Sequence, residues 1–492
     1  MDYRNLKSGT DVRGVAVEGV PGEHINLTDQ AVRDITAAFL RWLGDMQGKK
    51  IAVGHDSRIS ADRIKTQVVS TLVQAGVHVV DCGLSSTPAM FMTTVCIGCD
   101  AAIQITASHH PFNRNGLKFF TKSGGIDGKD LDAILALANQ EAKPEPAEGT
   151  VESCAFMQDY AKILRDMIIK SVGGTLPLQG FKIVVDAGNG AGGFYAMDVL
   201  KPLGADITGS QFLEPDGMFP NHIPNPEDKT AMDSVSKATV EHHADLGVIF
   251  DTDVDRASCV DSAGQEINRN RIVALAAAIA LQGEKDGVVV TDSVTSDGLK
   301  IFIEKDLKGK HHRFKRGYKN VIDEAIRLNR EGINAPLAIE TSGHAAFREN
   351  YFLDDGAYLI TKIIIQMAQL KQQGKTIDQL FDTLQEPKDE KELRFKIKTD
   401  DFKSYGLDVI QKLEDYAKEN GWAIAPDNHE GIRVSLQNGW FLLRLSVHDP
   451  IMPLNIESND EGGAKGIAKA LLPFFETCDQ LDIAVLKTFI DE

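Results

Sequence analysis

The chain is short of cysteine and has no arrangement that would staple it. Its six cysteines, at 82, 96, 99, 154, 259 and 478, show no framework spacing. This excludes a small disulfide-built module and fits reduced thiols. Cys96 and Cys99 make one CxxC with no second pair, at what reads as the end of an apolar helix, so core packing is favoured over zinc or redox chemistry. No apolar run approaches the span of a membrane helix, and the opening MDYRNLKSGT lacks a signal-peptide core. A cytoplasmic protein with no membrane partner is therefore expected. Positive charge is scarce too: 53 Lys and Arg against 71 Asp and Glu leave a net charge of -18, which argues against nucleic acid as a partner. A small anionic substrate is compatible with that balance if cations cluster locally.

What is present is a long chain of ordinary globular composition. Its 492 residues exceed one core and point to roughly three or four domains. Residues 1–150 alternate helical and strand patterns. A helix over 27–46 with Asn26 or Thr28 as cap, a strand over 50–54, a helix to Ala75, a strand over 77–82, a helix from Thr87 and an apolar strand over 101–105 form a βαβ series. A further strand after Lys118 and a helix over 129–139 precede 141–149, a charged, proline-bearing linker. The theme restarts over 151–266, with a Gly-rich turn over 186–193 that could hold phosphate on its N–H groups or merely permit close packing. It restarts again over 267–388. From 389 to 492 the pattern becomes strand, helix and close hairpins, closed by a helix over 466–475. The expected fold is thus α/β in four domains: three related α/β domains with mixed sheets sandwiched by helices, and a smaller C-terminal α+β domain.

Four stretches carry chemistry. Thr106-Ala107-Ser108-His109-His110-Pro111 follows the 101–105 strand and places a hydroxyl on a tight loop. A serine needs a base, a cation or a metal to act as a nucleophile; otherwise it is a turn serine bonded to its own backbone. Asp251, Asp253 and Asp255 alternate at period two after the apolar strand 246–250, so an extended chain would turn them to one side and a bend could bring them onto one ion. Three hard carboxylates without Cys or His select magnesium or a similar cation, and an EF-hand is excluded because Arg256, Ala257 and a new strand follow. Arg256 suits a phosphate or carboxylate beside that metal. Glu340-Thr341-Ser342-Gly343-His344 could bind the hydroxyls of a polyol or cap a helix. Arg433, Arg444, Ser446 and His448 gather cations and a hydroxyl around hairpins, either as an anion site or as solvated strand ends.

Together these motifs resemble the α-D-phosphohexomutase superfamily. The serine loop is similar to its Thr-Ala-Ser-His-Asn-Pro signature, with His110 in the Asn place, and residues 251–256 are similar to its Asp-Gly-Asp-x-Asp-Arg metal loop. The Glu-x-Ser-Gly-His form of 340–344 points to the phosphomannomutase/phosphoglucomutase branch, and residues 8–14 and 54–60 agree as well. The resemblance implies a magnesium-dependent enzyme that interconverts hexose 1-phosphate and 6-phosphate, mannose or glucose, in a central cleft. Ser108 would be carried as phosphoserine, primed by a hexose 1,6-bisphosphate activator. Magnesium on Asp251, Asp253 and Asp255 would also touch the phosphorylated Ser108. Arg256 and Lys118 would stabilise moving charge, Arg13 would support the serine loop, and His109 or Lys118 would be the general base. Glu340, Ser342, His344 and Lys319 would contact the sugar, and Arg433, Arg444, Ser446 and His448 its phosphate. The chain departs from the pattern at 444–450, where the family reads approximately Arg-x-Ser-x-Thr-Glu-Pro and then another Arg, and Pro453 stands at that later place. Phosphoglucosamine mutase and a non-catalytic sugar-phosphate binding protein on the same scaffold are the alternatives.

Overall fold

The computed structural model describes residues 2–44, 48–140, 147–446 and 449–492. Its contacts divide the chain into two compact units: residues up to Asn268 with Ser342–Gln379, and Arg269–Thr341 with Leu380–Glu492. The expected third block, 267–388, contributes to both. Among the described residues no helix is long and apolar enough to cross a membrane.

In the first unit the apolar run after Asp100 forms the strand Ala101–Ile105, buried at every position, as expected for a strand covered on both faces. It sits inside a mixed sheet ordered Lys7–Ser8, Asp11–Val15, Arg114–Thr121, Ala101–Ile105, Lys50–His55, His78–Leu84 and Thr150–Ser153. Lys50–His55 runs parallel to Ala101–Ile105 and to His78–Leu84, whereas Arg114–Thr121 returns antiparallel. Lys118, read from the sequence as preceding a strand, lies inside Arg114–Thr121 opposite Gln104. Helices Asp29–Leu43, Ala61–Gln74 and Gly128–Ala138 share a core through Phe39, Val68 and Leu135. Thr28, rather than Asn26, caps the first of them by accepting from the Ala31 N–H. Of the linker at 141–149, residues 141–146 lie outside the described residues. Beyond it Thr150–Ser153 pairs with His78–Leu84, so the first sheet continues past 150.

Gly116 explains how the serine loop can lie so close to the strand Asp11–Val15. A Cβ there would stand 2.0 Å from the Val12 carbonyl oxygen and 2.7 Å from that of Thr106. Gly116→Ala is expected to cost about 1–3 kcal/mol or more by overpacking, measured as a lower urea midpoint with an unchanged slope.

The second sheet of this unit runs Glu266–Ile267, Ala257–Asp261, Leu246–Phe250 and Ile183–Asp186, the last two parallel. The Gly-rich turn after Asp186 proves to be a packing device. Asn189 N–H donates to the Phe212 carbonyl, Gly190 N–H to Ala187 and Ala191 N–H to Thr252, while a Cβ on Gly190 would meet Thr252 backbone at 2.6 Å. These amides are therefore spent on protein carbonyls, that of Ala191 on the aspartate loop.

Beside that turn His222 Nε2 lies 3.0 and 3.1 Å from the two Asp186 oxygens, and Nδ1 lies 2.9 Å from the Ile223 carbonyl. Both neighbours only accept, so the ring is an imidazolium. Burial opposes that charge, but the Asp186 carboxylate outweighs it and raises the His222 pKa above its ordinary value. Such a histidine stabilises the fold fully below its unfolded pKa of about 6.5 and ceases to do so as pH rises through the folded value. The stability gap between wild type and His222→Gln is thus expected to narrow between about pH 6 and about pH 9. Urea titrations at the two pH values check this, and a constant gap contradicts it.

In the second unit Val288–Thr291 lies between Lys310–Arg313 and Leu337–Ile339, all parallel. The C-terminal part is a sheet ordered Ala423–Ile424, Ile432–Leu436, Gly439–Leu443, Ile451–Ser458, Asp389–Ile397 and Leu481–Asp482. Helices Phe402–Glu419, Gly463–Phe475 and Ala484–Asp491 cover it through Leu413, Phe475 and Phe489. The last of these helices extends beyond the closing helix expected over 466–475. Cys96 ends the helix Thr87–Cys96 in an exposed position and Cys99 is buried. Burial pushes the Cys99 thiol up to about 11 and raises that of Cys96 as well; Cys99 packs in the core as expected, whereas Cys96 does not.

Candidate active site

Two strands of the first unit end at the same place: Ala101–Ile105 delivers the serine loop and Leu246–Phe250 the aspartate loop. Such carboxyl ends are where open α/β sheets place ligands. Ser108 adopts a left-handed backbone, φ 52, which costs a non-glycine residue roughly 1–2 kcal/mol. Its N–H donates to Thr106 Oγ1 at 2.9 Å, and that hydroxyl donates to Asp56 Oδ2 at 2.7 Å. Ser108 Oγ, almost fully buried, donates to Asp251 Oδ2 at 3.1 Å.

The aspartate loop is a tight turn rather than extended chain, with Val254 left-handed at φ 67. The turn draws one oxygen from each of Asp251, Asp253 and Asp255 to within 4.8 Å of one another, so the bend allowed by the sequence, and not the alternation, gathers them. Lys118 Nζ donates to Asp253 Oδ2 at 2.9 Å and to Asp255 Oδ2 at 2.5 Å. Thr87 Oγ1 adds a bond to Asp253 Oδ2. Asp253 Oδ1 and Asp255 Oδ1 are buried and accept no hydrogen bond among the described residues. Burial pushes the Asp251 carboxyl well above the usual range, and the charges of Asp255 and Asp253 add to this. At Asp255 burial acts the same way, but Lys118, His344 and Arg256 overcome it and hold the carboxyl low. Orphaned hard oxygens and a carboxylate short of positive charge fit a magnesium-like cation.

Arg256 stands between the two loops. Its Nη2 donates to His109 Nδ1 at 2.9 Å and its Nε is 3.9 Å from Asp251 Oδ2. A guanidinium can only donate, so Nδ1 carries the lone pair and the His109 proton resides on Nε2. Ser108 Oγ is 3.3 Å from the same Nδ1, whose lone pair Arg256 already engages. Burial and then Arg256 drive the His109 pKa far below its ordinary value, and burial and then Arg13 take His110 down to about 3. In this arrangement His109 Nδ1 accepts from Arg256, and Lys118 Nζ donates to Asp253 and Asp255. Arg13 lies in Asp11–Val15 opposite Gly116 and pairs with Asp11 at 2.9 Å.

The 340–344 loop is divided between the units. In the first, Ser342 and His344 are buried, and His344 Nδ1 pairs with Asp354 and lies 4.0 Å from Asp255 Oδ1. Burial opposes its charge, yet Asp354 raises the His344 pKa. The sequence reading missed Asp354; its only signal is the Asp354-Asp355 pair just before a glycine. Gly356 N–H donates to the Val254 carbonyl at 3.1 Å, tying this segment to the aspartate turn.

In the second unit Glu340 Oε1 accepts from the Gly317 N–H at 2.6 Å, and Thr341 Oγ1 donates to Asp292 at 2.8 Å. Lys319 pairs with Asp323 one helical turn away. Arg316 lies 4.0 Å from Glu392, and its N–H donates to Glu430 at 3.0 Å. Arg444 Nε is buried without a partner among the described residues, and burial and then Arg316 lower its pKa. Arg433, expected at a phosphate, is instead committed to protein. It donates to the Ser293 carbonyl at 3.0 Å and to Asp297 at 2.9 Å, with its guanidinium carbon 3.5 Å from the Trp440 ring centroid. Ser446 Oγ accepts from the Asp449 N–H at 3.3 Å. His448 lies outside the described residues.

A serine held against one member of a three-carboxylate cluster, with arginine and lysine beside that cluster, suits phosphoryl transfer. Residues 4–145, 158–264 and 268–387 match domains I, II and III, each alpha/beta/alpha, of Phosphoglucomutase/phosphomannomutase. The chain belongs to the phosphoglucomutase/phosphomannomutase family, a family of phosphotransferase mutases. It is 27% identical to a phosphomannomutase/phosphoglucomutase of Pseudomonas putida over 92% of this chain and 91% of that one. It is 28% identical to a phosphomannomutase of Salmonella montevideo over 90% and 94%. A crystal structure of a phosphoglucomutase/phosphomannomutase family protein from Burkholderia thailandensis superposes with TM-score 0.80 at 25% identity, covering 97% and 98%.

Proposed function

We propose that this protein interconverts hexose 1-phosphate and hexose 6-phosphate, of the mannose or glucose type, by way of a phosphoserine at Ser108 and a 1,6-bisphosphate. The observation that carries this reading is the 3.1 Å contact between Ser108 Oγ and Asp251, inside a three-carboxylate cluster with two orphaned oxygens. A phosphate on Ser108 would meet that cluster directly. Asp251, Asp253 and Asp255 would hold magnesium, which neutralises charge as a phosphoryl group moves. Lys118 and Arg256 are fixed positive charges beside the cluster, one anchored by Asp253 and Asp255, the other by Asp251 and Glu227. The division of labour proposed is serine loop in 1–150, metal loop in 151–266, sugar recognition in 267–388 and phosphate binding in 389–492. Arg444 and Ser446 remain the proposed phosphate contacts of the last segment.

Purified protein given magnesium, a trace of glucose 1,6-bisphosphate and glucose or mannose 1-phosphate is expected to form the 6-phosphate. Faster turnover of glucosamine phosphate in the same assay would make it a phosphoglucosamine mutase. Tight binding with no turnover of any hexose phosphate would leave only a sugar-phosphate binding protein.

A further inference from the structure

Beneath the serine loop lies a guanidinium with no outlet to solvent. Arg58 is 2% exposed, and its Nε donates to Asp56 Oδ2 at 3.2 Å. Nη1 donates to the carbonyls of Pro111 at 2.7 Å and Arg114 at 2.9 Å, and Nη2 to those of His110 at 2.6 Å and Ser108. A guanidinium has five N–H donors in one rigid plane, so every donor is used, four of them on carbonyls of residues 108–114. The anchor below is fixed as well: Asp56 Oδ1 accepts from the Arg58 N–H at 3.0 Å, and Asp56 Oδ2 accepts from Thr106, whose hydroxyl in turn accepts from Ser108 N–H. The Phe219 ring lies 5.3 Å from the guanidinium carbon. Gly217, close by, touches Ile59 and Ser57 backbone, where a Cβ would meet atoms at 2.4 and 2.5 Å.

We propose that Arg58 is a positioning residue for phosphoryl transfer, holding Ser108 in its left-handed conformation so that Oγ faces Asp251. This rests on the reading of Ser108 as the phosphate carrier. The physical case is that four carbonyl oxygens turned toward one point repel one another and, buried, require donors. Only a planar fork supplies them in that geometry; lysine offers three donors from a single atom. A fork that fixes the carbonyl of Ser108, with Thr106 fixing its N–H, leaves the peptide planes on both sides of the serine no freedom to rotate. The side chain that reacts is then aimed by groups that never touch substrate.

Arg58→Lys is expected to lower kcat about 100-fold, the cost of a small misplacement of a reacting group, with KM for hexose phosphate within about twofold. Arg58→Ala should regain activity with millimolar guanidinium ion but not with ammonium. Thr106→Val, which keeps volume and Arg58, should show the same split at about tenfold; it decides the matter if the Arg58 variants do not fold. Unchanged kcat in soluble Arg58→Lys or in Thr106→Val overturns the proposal. Hydrogen exchange over 106–114 reads the loop without substrate: acceleration confined to that segment in the variants supports the role, and unchanged exchange contradicts it. Should wild type turn over no hexose phosphate, the proposed function fails, while the exchange measurement still decides the role of Arg58.

Discussion

Ser108→Ala is expected to lower turnover by at least about 10⁴-fold, the scale on which loss of a covalent nucleophile falls. The change deletes one oxygen, the one that donates to Asp251 at 3.1 Å, and little else. Alanine carries the same left-handed penalty as serine at φ 52, so stability should stay near that of wild type. Ser108→Gly sharpens the test, because glycine adopts that conformation without penalty. It should be as inactive as Ser108→Ala and no less stable, which separates lost chemistry from a damaged fold. Turnover assays and urea titrations on both variants provide the comparison.

The second large effect is expected at the aspartate turn. Asp253→Asn should lower kcat about 10³-fold and raise the magnesium concentration needed for half-activity, since metal charge stabilisation is worth several kcal/mol. Asp253 Oδ2 already serves Lys118 and Thr87 while Oδ1 accepts nothing. Asparagine can keep bonds to those donors but brings no charge to the orphaned side. Chelation of wild type should cause a similar loss, reversed by added magnesium and not by monovalent salt. An Asp253→Asn enzyme with wild-type magnesium dependence would mean that the cluster does not hold the ion.

Much of this site is legible in sequence because its two loops leave buried strands. The runs before Thr106 and before Asp251 are buried at five consecutive positions, and Gln104 is their one polar residue; such strands hand polar residues to a sheet edge wherever they stop. The shape of the aspartate turn was not legible. Alternation suggested extended chain, and a β-branched residue such as Val254 gives no hint that it will take a left-handed backbone. Lys118 reads as standing ahead of a strand because its own strand opens with Arg114-Asn115-Gly116, a turn signature that close packing against Val12 and Thr106 overrides. The helix Gly356–Gln372 is hard to read in the sequence for another reason: it is buried nearly all round, so the 3.6-residue period on which a helix reading depends is absent. Arg58 and Asp354 lie in short polar motifs whose partners become visible only after the sheets assemble. Arg433 shows the converse error, since a cation near a hairpin suggests an anion until Asp297 and Trp440 are seen beside it.

The most direct test of the account is the phosphorylation state of Ser108 through one turnover. Protein treated with hexose 1,6-bisphosphate and magnesium, then weighed intact and mapped by peptide, should carry one phosphoryl group, on Ser108. Excess hexose monophosphate should discharge that group into bisphosphate, and Ser108→Ala should never acquire it. Turnover by protein that carries no phosphoryl group on Ser108, or carries one elsewhere, would contradict the account.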